Sequence, residues 1–235
     1  MSDASPSPFL DLPGAVDTTG AGVPSHYGSP LAEQRALAEG GAIVDLSDRA
    51  VLTIQGPDRL SWLNSLTSQA LTGLRPGESS ETLLLDVTGR VEHAVRLLDD
   101  GETLWLLVDR PEAAGLLAWL DSMRFMLRVE LADRTADLAT IGTLGDPPLP
   151  IAAPNGVPLI WHDPWRAVTP GGHQYARGEH PGAGWTWSER LIPRDALPSL
   201  VARVRTGELS AAGTLAADAL RIAAWRPRFA TEVDE

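Results

Sequence analysis

The apolar residues of this chain recur at two spacings, and each spacing predicts one kind of element. Five segments place apolar side chains three or four positions apart, which is the pattern of an amphipathic helix. They are residues 30–39, 56–66, 111–123, 194–205 and 215–225. Proline stands in the first turn of two of them, at Pro30 and Pro111, and Thr214 is the predicted cap of the last.

Shorter apolar or alternating runs predict strands between the helices. They are residues 42–46, 51–55, 82–87, 90–98, 103–108, 127–131, 138–144, 159–161, 166–168 and 185–192. The turn sequence Asp99-Asp100-Gly101 predicts a hairpin. Because strands and helices alternate irregularly, the order of elements favours an α+β fold over a doubly wound sheet.

The first 25 residues have a different composition from the rest of the chain. They are rich in Ser, Pro, Gly and Asp, and they have neither a basic start nor an apolar stretch. A signal peptide needs both features, so none is predicted. We expect residues 1–25 to form a disordered N-terminal arm.

The amino-acid composition excludes several kinds of catalytic chemistry and of binding partner. The chain has no cysteine and no lysine, and its 19 basic residues are all arginine. This excludes a thiol nucleophile, a Schiff-base lysine and a P-loop lysine. The net charge of −12, without a basic stripe, disfavours direct binding of nucleic acid. No apolar run approaches the roughly 18 residues that a membrane span needs, so we expect no membrane partner and a cytoplasmic location.

Two groups of side chains are candidates for a site. His162, His173 and His180 fall in a loop-rich region with Asp163 and Glu179, but their spacing favours solvated histidines over metal ligands. No metal site is therefore predicted.

The second candidate is an apolar sheet face. Leu83 and Leu85 alternate along one predicted strand, and Trp105 and Leu107 along another, so each pair can share a face. Beside an arginine such as Arg221, this face could hold a flat heteroaromatic ligand that carries carboxylates. An ordinary hydrophobic core explains the same alternation.

Five segments, taken in order, resemble a known family. They include G-P-D-R-L-S-W-L-N-S-L-T-S-Q (56–69), L-L-L-D-V-T-G-R-V-E-H-A-V (83–95) and A-L-R-I-A-A-W-R-P-R-F (219–229), together with residues 26–47 and 119–130. They are similar to the folate-binding proteins related to the T-protein (aminomethyltransferase) of the glycine cleavage system, and more so to its YgfZ-type branch.

The resemblance implies a tetrahydrofolate-binding scaffold, in which an inserted α+β domain splits a ferredoxin-like domain. It places the insertion at residues 50–135 and the split domain at residues 26–49 plus 136–235. The family adds a C-terminal β-barrel and, in the YgfZ-type branch, a lysine- and cysteine-containing motif after R-x-P-R-F. Since this sequence has neither, the resemblance implies a truncated chain or, alternatively, a natural short paralogue.

The resemblance also implies which residues bind the folate. These are Leu83, Leu85, His93, Trp105, Leu107 and Arg221, of which Arg221 matches the arginine of the family's [AS]-L-R-[IL] helix. His93 and Ala94 stand where the transferases carry an acidic pair. The segment Gly184–Trp187 stands where the transferases carry a pterin-binding acid, and it contains no acid.

These departures favour a folate-binding accessory protein that supports iron–sulfur cluster assembly or repair, including the clusters of tRNA-thiolating enzymes, without transferase chemistry of its own. The alternative is a folate-dependent aminomethyl or methyl transferase in which His93 replaces the missing acid. A third interpretation is a scaffold that binds a protein partner through its Trp-rich residues 161–187.

Overall fold

The computed structural model describes residues 6–168 and 176–232, which fall into two compact units. Unit 1 comprises Met1–Asp48, Ala139–Pro150 and His162–Pro227, and unit 2 comprises Arg49–Leu138, Ile151–Trp161 and Arg228–Glu235. Unit 2 therefore contains residues 151–161 and 228–235 in addition to the region of the predicted insertion.

The described residues form ten strands and six α-helices. The strands are β1 (Ala42–Asp45), β2 (Ala50–Gln55), β3 (Ser79–Leu85), β4 (Val91–Asp99), β5 (Thr103–Val108), β6 (Glu130–Asp133), β7 (Leu138–Thr143), β8 (Ile160–His162), β9 (Ser188–Pro193) and β10 (Ser210–Ala212). The helices are α1 (Pro30–Ala38), α2 (Arg59–Leu66), α3 (Arg110–Ser122), α4 (Leu197–Arg205), α5 (Thr214–Ala223) and α6 (Phe229–Glu232).

The first sheet has the order β10-β1-β7-β9-β8. Strand β1 runs parallel to β10 and antiparallel to β7. Helix α4 buries Leu197, Leu200 and Val201, which are spaced to lie on one side of the helix, against Ile43 and Ile141 of the sheet. This packing forms the core of unit 1.

The second sheet lies in unit 2, and its order β3-β4-β5-β2-β6 is antiparallel throughout. One face of the sheet packs against α2 and α3. Helix α3 contributes Ala113, Leu116 and Leu120, and the sheet contributes alternate residues of its strands, such as Leu52 and Ile54 of β2. Helices and two sheets thus coexist in the chain, as the α+β prediction requires.

The N-terminal arm is structured from residue 6 onwards, so the prediction of disorder is wrong for residues 6–25. Pro8–Asp11 forms a 3-10 helix that the Ser7 side chain caps, and Phe9 is 0% exposed in the core of unit 1. Val16 pairs with His26 in an isolated antiparallel bridge. Two large apolar side chains, Phe9 and Leu12, supply the buried area that holds this polar segment in place. Residues 1–5 lie outside the described part of the chain.

Several predicted boundaries also need correction. Residues 164–167 form a 3-10 helix, where the sequence predicted a strand over 166–168, because Pro164 opens the turn and Asp163 accepts a hydrogen bond from the Trp165 backbone N–H. The strand predicted at 127–131 begins at Glu130, since residues 124–127 form a turn. Strand β9 begins at Ser188, three residues later than predicted.

The start of α5 has a cap that the sequence did not predict. Thr214 is the first helical residue, and the backbone N–H groups of Thr214 and Leu215 donate to the carbonyls of Pro24 and Ser25. Gly213 allows this approach, because a Cβ at that position would lie 2.1 Å from the Ser25 carbonyl oxygen. Backbone from the N-terminal segment therefore replaces the side-chain cap.

None of the helices within residues 6–168 and 176–232 combines the length and apolar character needed to cross a bilayer.

Candidate functional site

The six residues predicted to bind folate are divided between the two units. Arg221 belongs to α5 of unit 1, and the other five belong to strands of unit 2. Each unit is described in turn.

In unit 2, the strand register places Leu83, Trp105 and Leu107 on one face of the sheet. Leu83 lies opposite Ala94 and Arg96 lies opposite Leu107, and alternate residues of a strand share a face. Trp105 and Leu107 are buried, at 5% and 0% exposure. The indole N–H of Trp105 donates to the Asp100 carboxylate at 2.8 Å. These two side chains are structural core in the state described.

Leu85 ends β3 and is 41% exposed. The register shifts between Leu84 and Leu85, so that Leu85 lies opposite Val91. A bulge of this kind turns the end of a hairpin and redirects its side chains. Of the four apolar residues predicted on this face, Leu85 is the most accessible to a ligand.

His93 lies on the opposite face of the sheet. It is paired with Leu84, whose side chain packs in the core beneath α3. The Nδ1 atom of His93 lies 3.1 Å from Oε2 of Glu112, in the first turn of α3. The side chains are 17% and 21% exposed, respectively. The structure thus places His93 on the face opposite Leu83, Trp105 and Leu107 and gives it an acidic partner that the sequence did not predict.

Glu112 escaped prediction because 19 residues separate it from His93. The predicted helix at 111–123 included Glu112, but no periodicity within a helix shows which strand residue it will meet. That contact depends on how α3 crosses the sheet.

Asp109, just before α3, is a second acid that no sequence pattern indicated. Its carboxylate lies 3.3 Å from Arg96, 3.3 Å from Arg228 and 3.9 Å from Arg49. Burial by itself would raise the pKa of Asp109, but the three guanidinium charges outweigh burial and hold the pKa at about 2. Asp109 is therefore a permanent anion that ties Arg49 and Arg228 to the sheet of unit 2.

In unit 1, Arg221 lies in the last turn of α5. Its Nε lies 3.2 Å from the Asp218 carboxylate, and its Nη1 donates to the Arg226 carbonyl at 2.7 Å. The second contact helps to fix the chain where it leaves the helix. A role for Arg221 in ligand binding remains a prediction.

Strand β9 of unit 1 carries a buried acid, Glu189, two residues beyond the segment Gly184–Trp187. Glu189 is 1% exposed, and the indole N–H of Trp187 donates to its Oε1 at 3.2 Å. The strand that carries this acid begins at Ser188.

Two indoles stack beside this acid. The rings of Trp185 and Trp187 are 5.7 Å apart and inclined by 14°. Gly142 of β7 makes room for them, since a Cβ there would lie 2.3 Å from the Trp187 ring. Both indoles are buried, at 5% and 6% exposure, so in the state described the carboxylate of Glu189 is paired with the Trp187 indole N–H.

In the histidine-rich region, His180 and Asp163 contact neighbouring aromatic side chains and backbone groups. His180 caps a 3-10 helix through Nδ1, which accepts from the Gly182 N–H at 3.0 Å, and its ring meets Trp165 and Trp225 edge-on. Asp163 accepts from Trp165, from the Trp185 indole and from Arg226. His173 lies outside the described residues, and the described residues contain no group of three or more His, Asp or Glu able to hold a metal ion.

Comparison with known proteins identifies the relatives of this fold. The model of the GCVT N-terminal domain matches residues 15–147. An aminomethyltransferase of Chlorobium limicola is 27% identical over 132 residues, covering 55% of this chain and 36% of the relative. An aminomethyltransferase of Cupriavidus taiwanensis is 25% identical over 242 residues, covering 93% of this chain and 63% of the relative.

Among solved structures, the glycine cleavage system aminomethyltransferase T from Bartonella henselae superposes with a TM-score of 0.67. It is 16% identical, and the match covers 91% of this chain and 60% of that one. This likeness shows a shared fold. The chain spans 36% and 63% of the lengths of the two curated relatives named above.

Proposed function

Because the chain belongs to the GCVT N-terminal domain family, we propose that it binds tetrahydrofolate and takes part in aminomethyl or other one-carbon transfer. The observation that carries this proposal is the family match over residues 15–147, together with the buried acid beside the stacked indoles of unit 1. The relatives named above are aminomethyltransferases, which favours transfer over a purely accessory role.

In this proposal Glu189 holds the pterin ring. A pterin presents an amino group and a ring N–H on one edge, and a carboxylate accepts two such donors side by side. The resemblance to the transferases implies an acid of this kind in a G-[YV]-E-I-type strand, and Glu189 is an acid in β9, where Trp187 stands in place of the glycine. Leu83, Leu85, Trp105, Leu107 and Arg221 remain predicted ligand-binding residues.

Titration calorimetry with folinic acid, a stable tetrahydrofolate derivative, tests the binding directly. We expect Glu189→Gln to weaken binding about 10–100-fold, because a hydrogen bond to a charged group contributes about 1.5–3 kcal/mol. The matched control is Glu33→Gln in the same unit, since Glu33 is also buried, at 7% exposure, but within the described residues it accepts only from the backbone N–H groups of residues 27, 29 and 213.

The two variants separate folding from binding. Glu33→Gln should lower the melting temperature and leave the affinity within about twofold of the parent. If the parent chain binds no folinic acid at millimolar concentration, the folate proposal fails. If Glu189→Gln binds as tightly as the parent, folate binding stands and the role of Glu189 does not.

The iron–sulfur accessory role of the YgfZ-type branch stays a second candidate. It is favoured by His93 and Ala94, which stand where the transferases carry an acidic pair. Deleting the gene and measuring thiolated tRNA nucleosides in the host tests this role. Unchanged levels of those nucleosides would remove the candidate.

A further inference from the structure

We propose that Asn155 is a deamidation site of unit 2, and that its conversion to aspartate or isoaspartate detaches part of Ile151–Trp161 from the buried acid Asp100. The modification is a reaction of the chain with water, and it is independent of folate binding.

The chain has two asparagines, and only one of them precedes glycine. Asn155 is followed by Gly156, whereas Asn64 is followed by Ser65. Glycine has no Cβ, so its backbone nitrogen is poorly shielded and can attack the preceding side chain. Asn64 lies in helix α2, and its Oδ1 accepts from the Leu71 N–H at 2.8 Å, which holds that side chain in place. Sequence and structure therefore both favour Asn155 as the reactive residue.

Asn155 lies in an exposed turn of unit 2. The Gly156 N–H donates to the Ala153 carbonyl at 3.0 Å, and the φ of Gly156 is 81°. Apart from its two chain neighbours, no heavy atom of the described residues lies within 4 Å of where a Cβ of residue 156 would stand. Opening of the hydrogen bond between Gly156 and Ala153 thus frees the nitrogen without displacing packed side chains.

The reaction needs no reagent other than water. After a solvent base removes its proton, the Gly156 backbone nitrogen bonds to Cγ of Asn155, and the Cγ–Nδ2 bond breaks. The amide nitrogen takes up a proton and leaves as ammonia, so that a succinimide ring remains. Water then adds to one of the two ring carbonyls and opens the ring. Addition at Cγ gives aspartate, addition at the main-chain carbon gives isoaspartate, and nothing is oxidised or reduced.

The amide that is lost binds to the interior of unit 2. Nδ2 of Asn155 donates to Oδ2 of Asp100 at 3.0 Å, and the Trp105 indole donates to the same oxygen at 2.8 Å. Asp100 is 3% exposed. A carboxylate at position 155 has no hydrogen to donate, and it brings a second negative charge to a buried one. Deamidation therefore replaces an attraction with a repulsion.

The far end of the segment has a separate anchor. The Trp161 ring is 1% exposed, and its indole N–H donates to the Ser80 carbonyl at 2.8 Å. A change at position 155 leaves this contact intact. We therefore expect deamidation to release residues 152–157 and to leave Trp161 in place.

The first test measures the modification. The purified chain is incubated in mildly alkaline buffer, folded and in urea, and its peptides are mapped by mass spectrometry, with an isoaspartyl methyltransferase to detect isoaspartate. We expect Asn155 to be deamidated in both samples, more slowly when folded, and Asn64 to stay intact in the folded chain. Asn155→Gln is the matched control, because glutamine keeps the amide but closes its larger ring far more slowly.

Two outcomes of this test would overturn the site. One is an Asn155 that stays intact in the folded chain for about a hundred half-lives of its conversion in urea, because a turn closed by one hydrogen bond opens often enough to react in that time. The other is conversion of Asn64 in the folded chain as fast as that of Asn155.

The second test measures the release, with the product introduced as Asn155→Asp. The Gly156 and Leu159 amides donate to the carbonyls of residues 153 and 152, so their hydrogen exchange reports on the segment. We expect both to exchange about tenfold faster than in the parent, and the amides of β2 to be unchanged. Asn155→Gln, which keeps a donor, should exchange like the parent.

The pH dependence separates charge from a mere change of shape. As the pH falls through about 4, most of the difference between Asn155→Asp and the parent should disappear, because the added carboxyl is then protonated and can donate to Asp100. Exchange equal to that of the parent at neutral pH, or a difference that does not change with pH, would overturn the release.

Discussion

At the scale of single residues, Asp45 on β1 is a buried acid whose surroundings disfavour its charged form. It is 1% exposed, and its Oδ2 has no hydrogen-bond partner among the described residues. Burial raises the pKa of Asp45 from 3.8 to about 6, although hydrogen bonds from Ser7 and Ser47 oppose the rise. The folded protein therefore prefers this side chain neutral.

Replacing Asp45 should stabilise the protein at neutral pH and not in acid. With a raised folded-state pKa, the contribution of Asp45 is complete below pH 3.8 and is lost as the pH rises through about 6. Asp45→Asn keeps an oxygen for the Ser47 N–H, so we expect a gain of about 2–3 kcal/mol at pH 7.5 and almost none at pH 4. Urea denaturation at the two pH values measures this. An equal gain at both values would show that ionisation of Asp45 has no part in it.

Asp109 should behave in the opposite way. Its pKa lies near 2 in the folded protein, below the ordinary 3.8, so its contribution to stability is present above pH 3.8 and is lost as the pH falls through about 2. Asp109→Asn should therefore cost about 2 kcal/mol at pH 7. The loss should shrink steadily in urea denaturation between pH 4 and pH 2. A loss independent of pH would point to packing instead of charge.

At the scale of elements, two large aromatic residues in the segments that follow helices adopt the left-handed backbone region. Phe125 follows α3 with φ 43°, and Trp225 follows α5 with φ 58°. At α5 the N–H groups of Trp225 and Arg226 donate to the Ile222 and Arg221 carbonyls, which is the Schellman arrangement. That position favours glycine, so each aromatic residue adds backbone strain.

The strain at the end of α3 can be measured by comparing two variants. Phe125 is 85% exposed, so its side chain contributes little burial. We expect Phe125→Gly to be about 1 kcal/mol more stable than Phe125→Ala, because both remove the ring and only glycine relieves the left-handed conformation. Urea denaturation of the pair gives the difference. Equal stabilities would mean that the turn relaxes around the Cβ at no cost.

At the scale of the whole molecule, the two units have separate cores. The core of unit 1 includes Phe9 and Ile141, and the core of unit 2 is built on β2, β5 and α3. The N-terminal segment therefore belongs energetically to unit 1. A substitution that weakens one core should first speed up the hydrogen exchange of backbone amides in that unit.

Truncating Phe9 tests this division. The side chain is 0% exposed, and Phe→Ala changes in cores cost about 3–5 kcal/mol. In Phe9→Ala, we expect hydrogen exchange to speed up in β1 and β7 and to stay unchanged in β2 and β5. Exposed Phe125→Ala is the control and should change neither set. Faster exchange in all four strands would show that the units open together.

Local patterns predicted most helices and strands, because the spacing of apolar residues within one element depends only on residues that are close together in the chain. The strands of unit 2 between residues 50 and 108 follow from apolar alternation and from turns such as Asp99–Gly101. The predictions failed where a contact with a distant part of the chain fixed the structure and residues nearby in sequence did not. Pro24 and Ser25 cap α5, and Phe9 anchors a segment whose composition is typical of disorder.

The sequence by itself determined the α+β class, the absence of thiol and lysine chemistry, and the family resemblance, because these depend on composition and on residues close together in the chain. Only the tertiary structure decided which acids accompany which functional groups. It brought Glu112 to His93 across 19 residues and placed Glu189 beside the stacked indoles. Side-chain partners across a sheet or between a sheet and a helix depend on register and crossing angle, which no local pattern encodes.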